Sequence, residues 1–388
     1  MIDQIFFEQG AKNLLEGVTD FEFKIQTIKF KIADLINAKN LNVLMGAGTS
    51  SGAIPAMKRM LELLDGKITD KSYVKLWKKL KKNNANLENI LGILYSGRFY
   101  LEGLNSPRPD INSLIKQIEN FIFNEINVNV HSKKDTLELY KTFYYKLAFR
   151  NKNQSRLNIF TTNNDLFNET AISELNLNYN NGFSSGVNST FNPARFTYTF
   201  SKKIDTALEK YEPIAEMVYL YKLHGSINWV EEDTDSFFKI KEIKINTRKV
   251  PANNVLIYPT PLKQNKSLGS PFADLIREFH DKLLISQNVL IIIGYSFSDE
   301  HINNVIYSAL AANANLSILI FGDYKENNIL SKINDPRIYK VYGETGQKKI
   351  HYFDYIVNKL LPDFEINPEK TLMEQFIESL QKEKIKSK

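Results

Sequence analysis

The stretch Leu41-Asn-Val-Leu-Met-Gly46-Ala-Gly48-Thr-Ser-Ser-Gly52 decides the fold. A short apolar run bounded by glycines reads as a strand buried on both faces, and residues 54–64 follow with apolar positions at three- and four-residue steps, which predicts a helix. Strand, glycine turn and helix together suit a phosphate: glycine lets the backbone come close, and the helix start aims amide hydrogens and a positive dipole at an anion. An ordinary glycine turn explains the same residues, so the motif alone decides nothing about chemistry. The third glycine falls at 52, giving GxGxxxG in place of GxGxxG, and Asp65 does not follow a second strand; both disfavour a dehydrogenase.

Working outward, residues 22–38 carry the spacing of an amphipathic helix that leads into this strand. From 65 to 154 the chain turns to Lys-, Asn- and Leu-rich helical segments, clearest at 87–94 and 111–122. Strand-like runs resume at 157–160, 219–223, 255–258, 289–293 and 316–321, with helix candidates at 272–284 and 300–310 between the later ones. Several runs are apolar throughout, as strands of a parallel sheet covered on both faces should be. The expected fold is therefore α/β, a doubly wound, Rossmann-like parallel sheet formed by residues 1–64 and 155–345. Residues 65–154 are expected to form a helical insertion, and 346–388 a C-terminal helical segment with helices at 352–361 and 371–381. The Gly-, Asn- and Ser-rich stretch 179–193 reads as a loop bordering a site.

Composition narrows the chemistry. Of 388 residues 43% are hydrophobic and 24% charged, the balance of a globular chain able to bury a large core. Cysteine is absent, which excludes disulfides, a thiolate nucleophile and any zinc site built on cysteine. The formal charge of +6 is mild for this length, so nucleic-acid binding is permitted without being indicated. The densest basic segments, 75–82 and 382–388, read as a solvated helix face and a frayed end. No secretory pattern opens the sequence and no apolar run reaches the ~18–20 residues that span a bilayer, so a cytoplasmic protein without membrane contact is expected.

Two polar clusters follow predicted strands. Thr161-Thr-Asn-Asn-Asp165 emerges at a carboxyl strand end, where open α/β sheets bind ligands, although Asn and Asp there could equally cap the next helix. Lys222-Leu-His224-Gly225 puts an imidazole at a second strand end, a candidate acid or base. Of the five histidines (131, 224, 280, 301 and 351) this one has the best placement; His301 sits at the start of a helix and is expected to cap or pack.

Taken together the motifs resemble the sirtuin superfamily, and especially its bacterial zinc-free branch of NAD-hydrolysing defence proteins. Gly46-Ala-Gly-Thr-Ser50 is similar to the family's GAGxS loop, Thr161-Thr-Asn-Asn-Asp165 to its TxNxD segment, Lys222-Leu-His-Gly225 to its histidine-glycine pair, and Gly294-Tyr-Ser296 to its later nucleotide loop. The resemblance implies catalytic roles for Asn163, His224 and Asp165. Asn163 would hold the reactive water or the carboxamide end of NAD, Asp165 would support that region, and His224 would act as base or ribose contact. It further implies a dinucleotide held by Gly46, Ala47, Gly48, Ser50, Thr162, Gly294 and Ser296, with Asp323 toward the adenosine ribose. The sequence departs from the family's deacylases in lacking the paired CxxC of their zinc ribbon, and from its usual Asn near 323.

By this resemblance the chain is an NAD glycohydrolase, releasing nicotinamide and ADP-ribose as the toxic effector of an antiphage, abortive-infection system. NAD is then a substrate, no metal is needed, and activity would be restrained by homo-oligomer assembly or by a partner such as a HerA-type ring ATPase, with any nucleic acid reached through that partner. Nicotinamide leaves a cationic pyridinium as a neutral molecule and needs no acid to protonate it, so positioning and electrostatic stabilisation can suffice. The alternatives are a non-catalytic sensor of NAD or ADP-ribose, and a nucleic-acid-processing protein, which the absence of a clustered carboxylate site disfavours.

Overall fold

The computed structural model describes residues 4–83, 87–151, 153–186, 189–205, 207–232, 238–245, 250–251, 253–256, 270–323, 328–346 and 348–363. The helix expected at 371–381, the basic tail 382–388 and the end of the strand expected at 255–258 lie outside these residues.

The fold is α/β with a mostly parallel central sheet. Its main strands are β1 (Gln4–Gln9), β2 (Asn40–Met45), β3 (Leu157–Thr161), β4 (Asn178–Asn180), β5 (Met217–Lys222), β6 (Asn288–Ile293), β7 (Leu316–Phe321) and β8 (Ile338–Thr345). In space they run β1-β8-β7-β6-β2-β3-β5-β4, every pair parallel except β1 with β8. From β2 the chain builds outward through β3, β4 and β5, then crosses back to start β6 on the other side of β2. Strand order therefore reverses between β2 and β6, and the crevice at their carboxyl ends is the place where such sheets bind ligands.

Alternation along each strand fills two cores. Val43, Met45, Ile159, Ile291 and Phe321 face one side, where they meet α1 (Phe21–Ile36), α6 (Lys134–Leu147) and α7 (Phe167–Glu174). Leu44, Phe160, Leu290, Ile292 and Ile320 face the other, against α8 (Phe272–Leu284) and α9 (Glu300–Ala312). With no polar face to show solvent, the central strands must be apolar throughout, which is what made them legible. One polar row interrupts them. Asn42 Nδ2 donates to Asn288 Oδ1 at 2.6 Å and Asn42 Oδ1 accepts from Asn158 Nδ2 at 3.0 Å, a buried amide ladder across β6, β2 and β3. A one-residue slip of any of these strands would turn its amide to the opposite face, so the ladder specifies register.

Between β2 and β3 the helices α2 (Met57–Asp65), α3 (Val74–Asn83), α4 (Leu87–Gly103) and α5 (Pro109–Ile126) pack around a core of their own, including Leu64, Trp77, Leu91 and Ile118. The next helix, α6, joins the sheet instead, laying Leu137, Tyr140, Phe143, Tyr144 and Leu147 on it at helical spacing. Among the described residues no helix is long and apolar enough to cross a membrane.

Four local features differ from expectation. The glycine turn is followed by a short 3-10 turn, Ala47–Ser50, and α2 starts only at Met57, so the expected helix does not begin at the turn. Strands β1 and β8, and Gly225–Glu231 in a small side sheet, arise where the sequence suggested none. The C-terminal candidate at 352–361 is one α turn, Phe353–Tyr355, running into a π-helical turn, Ile356–Leu360. The expected loop at 179–193 begins inside β4 and ends in the 3-10 helix Pro193–Thr197.

Candidate functional site

Backbone hydrogen bonds stitch the loops together at the switch point. Gly46 N donates to Ile293 O and Gly48 N to Gly294 O, each at 2.9 Å, so the turn after β2 lies directly on the turn after β6. A Cβ on Gly46 would stand 2.5 Å from Gly294 O, and one on Gly294 would stand 2.7 Å from Thr49 N. Gly294 also takes a left-handed φ of 65°, which only glycine adopts without strain. These glycines serve contact between two loops. The amides of Gly46, Gly48 and Thr49 are all bonded within the protein, Thr49 N to Gly46 O at 3.0 Å.

The other loops join the same edge. Thr162 N and Thr161 Oγ1 both donate to Met45 O at 3.1 Å, and Leu223 N donates to Thr161 O at 2.8 Å. Asn164 Nδ2 reaches across to His224 O at 2.8 Å and Gly225 O at 3.1 Å, fixing one candidate loop on the other. Gly225 is required here: its φ is 77°, and a Cβ would lie 2.3 Å from Val255 O.

This arrangement places Ala47, Ser50, Thr162, Asn163, Asp165 and His224 on one cavity, which Ile54, Met57 and Met60, at and just before the start of α2, and Glu88 also line. Asn163 is buried, its amide donating to Thr49 Oγ1 at 3.0 Å and Ser50 Oγ at 3.2 Å. Asp165 Oδ1 accepts from Phe167 N at 3.1 Å, and its Oδ2 lies in hydrogen-bond contact with Ser50 Oγ at 2.8 Å. Burial raises the Asp165 carboxyl above the usual carboxylate range, against the pull of the Lys222 ammonium. His224 Nε2 lies 3.0 Å from Asp299 Oδ2. With a carboxylate as its acceptor Nε2 carries hydrogen, which leaves Nδ1 as the nitrogen able to accept a proton.

Gly46, Gly48 and Gly294 shape the loops behind the wall without lining the cavity, and Ser296 and Asp323 lie off it. Ser296 Oγ pairs with Ser298 Oγ at 3.0 Å, and it is Ser298 that reaches the wall. His301 sits in the first turn of α9, its amide held by Asp299 Oδ1 at 3.0 Å. Residues 179–181 and 183–185 do border a cavity, but a different one, shared with Arg195 and Glu242. Among the described residues no group of three or more His, Asp or Glu is placed to hold a metal ion.

Four contributors had no role of their own in the sequence reading. Tyr140 reaches the site from α6, its Oη 2.8 Å from both Thr49 Oγ1 and Ser50 Oγ; nothing distinguishes it from the other aromatics of that helix. Lys222 is buried beneath the loop, donating to Asp165 O and to Glu169 Oε1, the latter at 2.9 Å; a lysine closing an apolar strand was the available signal. Asn164 stood within the Thr161–Asp165 stretch with no role of its own, and Asp299 had no role in the sequence reading.

Among curated proteins none matches this chain. Solved structures show low similarity: a Sir2 homologue in complex with NAD, at 12% identity over 85% of this chain and 91% of that one, has a TM-score of 0.41. A point variant of a Sir2 homologue in complex with ADP-ribose, at 11% identity over 86% and 94%, has a TM-score of 0.38. The family comparison is the informative one: residues 157–343, from β3 through most of β8 and carrying Asn163, Asp165, His224 and Gly294, match the SIR2-like domain.

Proposed function

We propose that this chain binds NAD as a substrate and hydrolyses it to nicotinamide and ADP-ribose, as the effector of a bacterial antiphage system. The observation that carries the reading is the shared cavity of Asn163 and His224 at the strand-order switch, beside Ser50 and Thr162. Motifs far apart in sequence converge there on a cavity that combines polar loop side chains with the apolar Ile54, Met57 and Met60, which suits a reaction that needs an oriented ribose and one admitted water.

In this mechanism the glycosidic bond lies between the Asn163 amide and the imidazole. Asn163 orients the water or the carboxamide, and Asp165 supports that wall through Ser50. His224, held through Nε2 by Asp299, offers Nδ1 as base or as contact to a ribose hydroxyl. Bond cleavage passes its electron pair to the pyridinium nitrogen, so nicotinamide departs neutral and the charge to be stabilised sits on an oxocarbenium-like ribose. Ala47, Ser50 and Thr162 bound the pocket, and the dinucleotide runs over the turns at 46–48 and 294–296 toward Asp323. Homo-oligomer assembly, a HerA-type partner and a cytoplasmic location belong to the same reading.

The test is nicotinamide release from NAD by purified protein, alone and with candidate partners, against Asn163→Ala and His224→Ala. Turnover lost in both variants supports the reading; NAD binding with no turnover under any condition makes the chain a sensor instead.

A further inference from the structure

Four oxygen–oxygen contacts run in series from the cavity wall inward. Asp165 Oδ2 is 2.8 Å from Ser50 Oγ, Ser50 Oγ is 2.8 Å from Tyr140 Oη, Tyr140 Oη is 2.8 Å from Thr49 Oγ1, and Thr49 Oγ1 is 2.9 Å from Gly46 O. At such separations each contact holds one hydrogen. The three hydroxyls supply three. The Asn163 amide adds none to the series, because its hydrogens point into lone pairs of Thr49 and Ser50 from the side. An ionised Asp165 therefore leaves one pair of oxygens facing each other bare, whereas a protonated Asp165 fills all four contacts.

Among the charged and titratable groups around Asp165, the Lys222 ammonium favours the ionised carboxylate, while burial and the Glu169 charge act against it. From β5 comes Lys222, but its ammonium rests on the Glu169 carboxylate at 2.9 Å and on main-chain oxygens of Asn164 and Asp165, not on the Asp165 side chain. From α7 comes Glu169, a like charge. From α6 come the Tyr140 hydroxyl and that of Tyr144, which donates to Asn168 Oδ1 at 2.7 Å. Asp165 is almost fully buried, and burial favours the neutral acid.

We propose that Asp165 holds a proton in the resting protein and heads a directed chain, Asp165 to Ser50 to Tyr140 to Thr49 to Gly46 O, which makes Tyr140 a positioning residue for Asn163. In that direction every partner is determined: Ser50 and Thr49 each donate once and accept twice, and one of the two accepted hydrogens comes from Asn163. The consequence for Asn163 rests on the hydrolase reading; the proton itself does not.

The experiment is infrared spectroscopy of the full chain without NAD. A C=O stretch of a protonated carboxyl is expected near neutral pH, moving on isotopic labelling of aspartate carboxyls and missing from Asp165→Asn, which reproduces the neutral acid's donor and acceptor. Tyr140→Phe keeps the ring stacked on Phe167 at 5.4 Å and edge-on to Phe353 at 5.2 Å, so it is expected to fold. It removes two of the contacts and one hydrogen, and the two left are served by Ser50 and Thr49 with Asp165 ionised. The band should then titrate away at lower pH than in the wild type. Where nicotinamide release is measurable, Tyr140→Phe should lower kcat about tenfold with KM within about twofold. A missing band in the wild type, or a titration that Tyr140→Phe leaves in place, overturns the proposal even if the chain hydrolyses NAD; the band without NAD turnover overturns only the role for Asn163.

Discussion

One carboxylate serves both the helix and the imidazole: Asp299 Oδ2 lies 3.0 Å from His224 Nε2, while its Oδ1 accepts from the amides of His301 and Ile302 at 3.0 and 3.4 Å. The cap holds the carboxylate beside the imidazole, and with Nε2 committed to it, Nδ1 is the nitrogen left to accept a proton. Asp299→Asn separates the two duties, since Asn is as good an N-cap and can still accept through Oδ1. Unfolding stability should change by less than about 1 kcal/mol, whereas kcat for nicotinamide release should fall by at least about tenfold as the imidazole loses its anionic partner. Equal activity in the two proteins would remove Asp299 from the mechanism.

Gly294→Ala tests the contact between the two turns. The new Cβ would meet backbone atoms of Gly48 and Thr49 at 2.7–2.9 Å, at a φ of 65° that alanine resists. Strain and overpacking together should cost on the order of 3 kcal/mol, read by urea unfolding. A near-wild-type midpoint would mean that the turns part easily.

The centre of the sheet and its carboxyl edge were legible because the cause was local: strands covered on both faces have to be apolar, and a polar cluster following one has to emerge at an end. The edge was harder to read. In β8 a buried lysine, Lys340, breaks the apolar run, and its charge is matched by Glu8 at 2.7 Å from β1, more than three hundred residues away in the chain. Neither strand makes sense without the other. The same holds inside the site, where Asn163, Asp165 and His224 stand beside turns that announce them but Tyr140 is one aromatic in a helix full of them, singled out only by packing. The glycine turn shows the converse: its glycines stand out in the sequence, but the need for them at 46 and 48 comes from the neighbouring turn at 294, which lies far away in the chain.

Asn42→Ala tests the amide ladder. It removes the middle member and leaves the Asn158 amide without its acceptor, and Asn288 Oδ1 without its donor, inside the sheet. Two stranded polar groups at about 1–3 kcal/mol each predict a loss of roughly 2–6 kcal/mol in chemical denaturation. A loss below about 1 kcal/mol would show that the ladder contributes little to holding register.

Lys222 and Glu169 form a buried ion pair under the candidate loop, with side chains 1% and 12% exposed. Lys222→Met leaves the Glu169 carboxylate without its cation and also frees the main-chain oxygens of Asn164 and Asp165, so a loss of about 3–5 kcal/mol is expected. Glu169→Gln in the same protein removes the stranded charge and should recover part of that loss, while Glu169→Gln alone leaves a buried ammonium still bonded to two carbonyls. The double-mutant cycle, measured by denaturant unfolding, should therefore give a coupling of at least about 1 kcal/mol. Additive losses would mean that the ammonium acts on the loop backbone alone, and that Glu169 is a bystander to the geometry at Asn163.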